Sequence, residues 1–281
     1  MFFKDPRDYQ ILFLSLFLGL GIGTRDWTLR PELIIVASFT CVLVQWLCNW
    51  AIGDKEFTLI SLIDSFSLRS PLITSLGLSL LLRAEHWLII AIAAACAIAS
   101  KFIFKYQNKH FFNPANFGII AALVFTSDAW VSPGQWGEDW LYGMLFVGAG
   151  GMILQKVGRW DTTAAFLGAY GGLEAVRNIW LGWTMDVYLH RLSNGSLLLF
   201  ALFMVTDPRS IPNSRTGRII WAVTIAVATF ILRNYFLLST AVFWALFAIA
   251  PLTLLLDLIW SEEGFSWHQV NKNQETNIEV G

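Results

Sequence analysis

Apolar runs long enough to enter a membrane recur along almost the whole of this chain. Two of the shorter ones are cut at a proline, at Asn113-Pro114-Ala115-Asn116 in the first half and Thr206-Asp207-Pro208 in the second. In lipid every backbone amide and carbonyl must find a partner inside the protein, so a helix interrupted at membrane depth survives only against other protein or beside a polar cavity. Paired interruptions in corresponding halves therefore point to a central site between them. Composition agrees. The 281 residues are 56% hydrophobic and only 14% charged, which marks an integral membrane protein that takes the lipid bilayer as solvent. A net charge of -1 lacks the concentrated basic surface that a nucleic-acid partner requires. The apolar run from Ile11 follows a mixture of Lys4, Asp5, Arg7 and Asp8, with no small-residue cleavage pattern after it, so it reads as a retained first span.

Cutting the chain at charged and Pro/Gly-rich joints, with roughly 20 apolar residues per crossing, gives about ten spans. They are Tyr9–Gly23, Pro31–Ile52, Pro71–Leu82, Trp87–Phe104, Pro114–Thr126, Trp140–Val157, Thr162–Trp183, Ser196–Thr206, Ile219–Phe236 and Ser239–Trp260. The third and eighth are too short to cross alone and hold the same ordinal place in two five-span halves. An odd number of spans per half turns the second half upside down relative to the first. The expected fold is thus an all-α integral membrane protein of two inverted five-helix repeats with short interrupted helices. Residues 1–126 form the first repeat, 127–139 an external loop, 140–260 the second repeat and 261–281 a polar cytoplasmic tail.

Orientation follows from the basic residues. With the N-terminus inside, the cytoplasmic side collects 13 of the 19 Lys and Arg, among them Lys4, Lys55, Lys109, Arg209, Arg218 and Lys272. The other side keeps Arg25, Arg30, Arg83, Arg177, Arg191 and Arg233. Both termini are therefore expected in the cytoplasm, in a multi-pass protein of the cytoplasmic (inner) membrane. Trp130, Trp136, Trp140, Trp180 and Trp183 fall near outer span ends, as an interfacial aromatic belt does.

Three stretches then carry a family resemblance. The run from Lys105 through His110, Asn113 and Asn116 to Gly118, the segment Gly150-Gly151-Met152-Ile153-Leu154-Gln155-Lys156, and Phe203-Met204-Val205-Thr206-Asp207-Pro208 followed by Gly217-Arg218 are together similar to one membrane family. It is the RnfD/NqrB family, which comprises the RnfD proteins of Rnf electron-transport complexes and the NqrB proteins of sodium-pumping NADH:quinone oxidoreductases. The resemblance implies a ten-helix flavoprotein subunit that carries electrons, coupled to sodium or proton movement, among partner membrane subunits. Family members attach one FMN through a phosphodiester to a threonine in a Ser/Thr-Gly-Ala-Thr-like segment between the fifth and sixth spans. The short Ser127–Asp139 loop replaces that segment here, and Asp161-Thr162-Thr163-Ala164 lacks the glycine, so no covalent FMN is expected. A second, noncovalent flavin (riboflavin or FMN) is associated in the family with the Asn-Pro-x-Asn turn, retained as Asn113 and Asn116.

The residues themselves leave alternatives open. A side-chain amide supplies donor and acceptor to the edge of a planar ring, but Asn113 is also placed to cap a helix with Pro114 in its first turn. Thr206 and Asp207 either face the cofactor or an ion path, or close an Asp-Pro turn held by Arg209, Arg215 and Arg218. His110 is the one histidine near the proposed site; His86, His190 and His268 look interfacial or terminal. Glu174 and Arg177, three apart on the seventh span, are expected to pair, or to wall a polar pathway. Gly148, Gly150, Gly151, Gly168, Gly171 and Gly172 suggest close helix packing. Cys41, Cys48 and Cys96 lack the spacing of a metal or cluster site. No autonomous catalytic motif is present, so any catalysis is electron transfer performed by a cofactor. Two competing readings remain: a small-solute or ion transporter or channel of inverted-repeat type without redox chemistry, and an accessory structural subunit of a membrane complex.

Overall fold

A backbone in apolar surroundings satisfies its own polar groups by coiling into helix. The computed structural model of the protein describes residues 5–24, 30–52, 65–107, 109–133 and 140–267, and these are mostly helical. Lys4, Arg25, Lys55, Trp136, His268, Lys272 and the expected tail beyond Trp267 lie outside the described residues. The first half contains α1 (Pro6–Thr24), α2 (Pro31–Ile52), α3 (Ser65–Leu81), α4 (Trp87–Ile103) and α5 (Pro114–Phe125). The second contains α6 (Trp140–Val157), α7 (Trp160–Trp180), α8 (Met185–Leu192), α9 (Gly195–Leu199), α10 (Arg215–Asn234), α11 (Ala241–Ile249) and α12 (Leu252–Ile259). α9 passes without a break into a π-helical turn, Phe200–Met204. Two antiparallel ribbons complete the described elements. β1 (Leu82–Ala84) pairs with β4 (Ala129–Val131), and β2 (Lys105–Tyr106) with β3 (Lys109–His110).

The second and sixth expected spans coincide with α2 and α6. The third does not begin at Pro71: that proline lies inside α3, which starts at Ser65. The tenth is not continuous, because Pro251 has no N–H to donate, and α11 and α12 meet there at 48°. The seventh stops at Trp180 rather than Trp183; Gly182, at φ +67°, turns the chain into the unanticipated α8. Among the described residues α2 and α10 are by themselves long and apolar enough to cross a membrane. Four spans result if the bent pairs α8 with α9 and its π turn, and α11 with α12, each count as one. Apolar side chains also face outward. On α2, Ala37 and Cys41 are fully buried while Ile35 is 69% and Phe39 66% exposed, the distribution expected of a helix that packs on one side and meets lipid on the other.

In the first half α2 packs on α3 and α4, α1 on α3, and α4 on α5. In the second, α7 packs on α10 and the π turn, α6 on α9, and α10 on α11. The halves meet along two seams, α1 against α6 and α5 against α11. Aromatic rings close both. Phe17 stacks on Phe146 with centroids 4.2 Å apart, and Phe112, just before α5, stacks on Phe247 of α11 at 5.0 Å.

Close approach is confined to particular glycines. A Cβ on Gly118 would lie 2.6 Å from the Ala93 carbonyl oxygen and 2.9 Å from the Ala97 Cβ, so α4 and α5 touch through bare backbone. Gly150 is similarly covered by Leu202, whereas a Cβ on Gly148, Gly151, Gly168 or Gly172 would meet nothing within 4 Å. The expectation of close packing along all six glycines is therefore corrected to one tight contact, Gly150, and an ordinary one at Gly171. Gly118→Ala should destabilise the detergent-solubilised protein by about 1–3 kcal/mol through overpacking, and Gly151→Ala should leave it unchanged. Thermal unfolding of the two variants beside the parent checks this.

Candidate functional site

The Asn-Pro turn and the Thr-Asp-Pro turn face each other across the seam between the halves. Asn113 has extended backbone and caps α5, its Oδ1 accepting from the Asn116 N–H at 3.0 Å, with Pro114 in the first turn where no N–H is needed. Its Nδ2 is free of that duty and donates across the seam to the Met204 carbonyl at 3.3 Å. That carbonyl belongs to the π turn, whose wide winding and abrupt end leave carbonyls without helical partners. Neighbouring side chains supply the rest: the Thr163 hydroxyl donates to Ala201 O at 2.6 Å, and the Thr206 hydroxyl to Leu202 O at 2.8 Å.

Beyond the π turn the chain folds back at Asp207-Pro208-Arg209-Ser210. The Ser210 N–H donates to the Asp207 carbonyl at 3.0 Å, and the Asp207 carboxylate accepts from the Arg209 N–H at 3.2 Å. His110, at the end of β3, brings Nε2 to 3.7 Å from Asp207 Oδ2. Burial raises the Asp207 carboxyl, but the His110 imidazole and the Arg209 backbone together outweigh it and hold the group below its ordinary value. The loop is pinned from three sides. Lys109 forms an ion pair with Asp257 of α12 and donates to the Asn213 side chain at 3.1 Å; Asp257 accepts from the Asn213 N–H at 2.7 Å. Arg218 grips Asp161 through two nitrogens, the nearer at 2.6 Å, and the Thr253 hydroxyl donates to Ser210 O at 3.2 Å.

These turns border a cavity of about 120 Å³ between α1, α3, α6 and the π turn. It is graded. One end carries Arg7, Gln10, His110, Asp207, Arg209 and Trp267, and the other is closed by leucines such as Leu14, Leu80 and Leu202. Of the residues singled out from sequence, His110, Asn113, Thr206 and Asp207 line it. Asn116 does not. It is 1% exposed at the second seam, where its Nδ2 donates to the Phe243 carbonyl of α11 at 3.1 Å while Oδ1 has no partner among the described residues.

Glu174 and Arg177 lie apart from the cavity, about 20 Å along α7 from Asp161. They do not pair. Glu174, 1% exposed, accepts from Arg191 of α8 at 2.9 Å and from the Asn234 amide of α10 at 2.9 Å, while the Arg177 guanidinium lies over the Trp183 ring at 4.7 Å. The expected i, i+3 pair is replaced because α8, invisible in the span pattern, delivers a guanidinium to the buried side of α7. Lys109, Asn213 and Asp257 were likewise not singled out; a lysine beside His110 and an aspartate within an apolar run were the signals available.

Residues 126–265 match the NQR2, RnfD, RnfE family. That stretch is just under half of the chain, and over it the chain is similar to the NQR2, RnfD, RnfE family. Its relatives include proteins named as the D subunit of an ion-translocating oxidoreductase complex. That of Alcanivorax borkumensis is 25% identical over 226 residues, covering 79% of this chain and 56% of the relative. That of Stutzerimonas stutzeri is 29% identical over 121 residues, 41% of this chain and 33% of the relative. That of Vibrio vulnificus is 34% identical over 102 residues, 35% and 28% respectively. The chain thus spans between about a quarter and just over half of the length of the relatives it matches. The NQR2, RnfD, RnfE match contains Glu174, Thr206 and Asp207, while His110, Asn113 and Asn116 precede it and Trp267 follows it.

The rearranged cluster on α7 predicts unequal mutants. Glu174→Leu should cost about 2 kcal/mol by removing the carboxylate that neutralises the Arg191 guanidinium and accepts from the Asn234 amide. Arg177→Gln, which loses a ring contact and no ion pair with Glu174, should cost less than about 1 kcal/mol. Unfolding midpoints in detergent distinguish them, and equal losses would restore the pairing read from sequence.

Proposed function

We propose that this chain is a membrane subunit of an ion-translocating oxidoreductase complex and holds a flavin-type cofactor, without a covalent bond, in the cavity between its halves. The observation that carries this reading is the convergence of the two interrupted segments on one graded cavity, with His110 and Asn113 from one half and Thr206 and Asp207 from the other. Asn113 has both ends of its amide engaged, so its part is to hold the wall in place. His110 and Asp207 offer the polar groups for a heteroaromatic edge, and the leucine-lined end suits the apolar body of a ring. The flavin supplies the redox chemistry when bound, and the surrounding residues set its position and exclude water.

The packing scheme supports the inverted repeat. Contacts of α1 with α3, α2 with α4 and α4 with α5 recur as α6 with α9, α7 with α10 and α10 with α11, and the two seams join α1 to α6 and α5 to α11, the like-numbered members of each half. The cavity's polar end, with Arg7 and Arg209, is assigned to the cytoplasm of an inner membrane, the side to which the sequence pattern gives 13 of the 19 Lys and Arg, with both termini there. Partner subunits of the complex cover part of the outward apolar surface.

Purified protein should absorb as a flavin, and denaturation should release all of it, since the threonine attachment segment is lacking. Asp207→Asn keeps the shape of the side chain and removes its charge. It should weaken flavin retention roughly tenfold, the worth of one charge-assisted hydrogen bond. Flavin that stays with the denatured chain would overturn the noncovalent assignment. A colourless preparation that moves solute in liposomes would replace the redox reading with a transporter.

A further inference from the structure

The segment after α12 has no regular structure until Trp267, and its Glu262-Glu263-Gly264 is exposed. Nothing in so polar a stretch would lead it back over the membrane domain except two aromatics. Phe265 and Trp267 are half-buried and meet edge to face, centroids 4.8 Å apart. Each also receives a guanidinium. Arg159, between α6 and α7, lies 5.5 Å from the Phe265 ring centre, and Arg7, in the first turn of α1, lies 4.7 Å from that of Trp267. Arg7 is a firm footing. It is 5% exposed, ion-paired with Asp5, whose carboxylate also lies 3.8 Å from Arg69. One short segment is thus tacked to both halves, and its Trp267 lines the cavity together with Arg7.

We infer that residues 261–267 are a strap over the mouth of the cavity, and that Trp267 is a ligand-contacting wall against which a planar aromatic ring stacks. This rests on the cofactor reading of the cavity above. The physical reasons are specific. Indole presents the largest flat surface of any side chain, and stacking on it discriminates planar rings from small solutes or ions of the same polarity. Attraction between Arg7 and the indole holds that surface in register without covalent constraint. Among the described residues no other tryptophan lines the cavity. Trp267 also stands just beyond the stretch that matches the family, so it is a feature of this chain that the match does not supply.

Two measurements on the full-length protein test the inference. In the first, flavin fluorescence and retention are compared in the parent, Trp267→Phe and Trp267→Leu. An indole in contact with a flavin quenches its emission by electron transfer. The parent should therefore be dim, both variants bright, and retention about five- to tenfold weaker in Trp267→Leu but largely restored in Trp267→Phe. Unchanged emission in flavin-loaded Trp267→Leu overturns the stacking role. The second needs no cofactor. With Cys41, Cys48 and Cys96 replaced by alanine and Gln10→Cys placed in the cavity wall, the maleimide labelling rate should rise at least several-fold when Phe265→Ala and Trp267→Ala are added. Faster labelling of a colourless protein would support the strap while overturning the cofactor reading. Unchanged labelling overturns the strap whether or not flavin is bound.

Discussion

Three backbone carbonyls at the end of one broken helix organise this protein. The π turn ends at Met204, and Ala201, Leu202 and Met204 each accept a side-chain donor, from Thr163, Thr206 and Asn113 respectively. The Met204 carbonyl accepts the Asp207 N–H as well, at 3.2 Å; where apolar surroundings offer no water, leaving a carbonyl unpaired costs several kcal/mol. The three donors come from α7, from the turn itself and from the opposite half. Meeting the backbone's demand therefore brings α5, α7 and the π turn to one place, and the cavity lies beside it. α3 ends by different chemistry: Arg83, 3% exposed in β1, donates to the carbonyls of Ser79, Leu80 and Leu82 at its close. A cation at a helix C-terminus also complements its dipole.

Charge is treated the same way at both ends of the molecule. Asp161 with Arg218, Lys109 with Asp257, and Glu174 with Arg191 are ion pairs joining separate elements, and in each the cation also donates to an oxygen of Asn213 or Asn234. A buried pair contributes little net stability, yet removing one partner leaves an uncompensated charge, so such pairs act as registers between helices. The Lys109–Asp257 pair registers the turn that carries His110 against the helix behind Asp207. The position of the site is thereby tied to contacts outside its wall.

Much of the helical layout was legible because a bilayer imposes a length on an apolar run, and α2 and α6 begin and end where that length places them. What escaped the pattern was short or local. α8 has only eight residues and its exposed face is mixed, so no hydropathy window reveals it. The bend at Pro251 could be anticipated from the missing N–H but was masked by the apolar run on either side. The Glu174–Arg177 pairing failed for a different reason. Spacing on one helix identifies which groups can meet, whereas a guanidinium arriving from another helix depends on how the chain returns.

The amino-acid order alone determined an apolar helical chain, two proline-marked interruptions, one early and one late in the sequence, and the residue types gathered near them. Hydropathy and the missing proline donor are properties of each segment taken singly. Which side chains share a cavity was decided by the tertiary structure. Asn113 and Met204, or Arg7 and Trp267, are far apart in the chain and are joined only when α1 meets α6 and α5 meets α11. It also separated Asn113, at the cavity wall, from Asn116, turned to the α11 seam, although both stand on the same helix turn. Backbone carbonyls and ring faces are what these residues recognise, and neither has a position until the helices have packed.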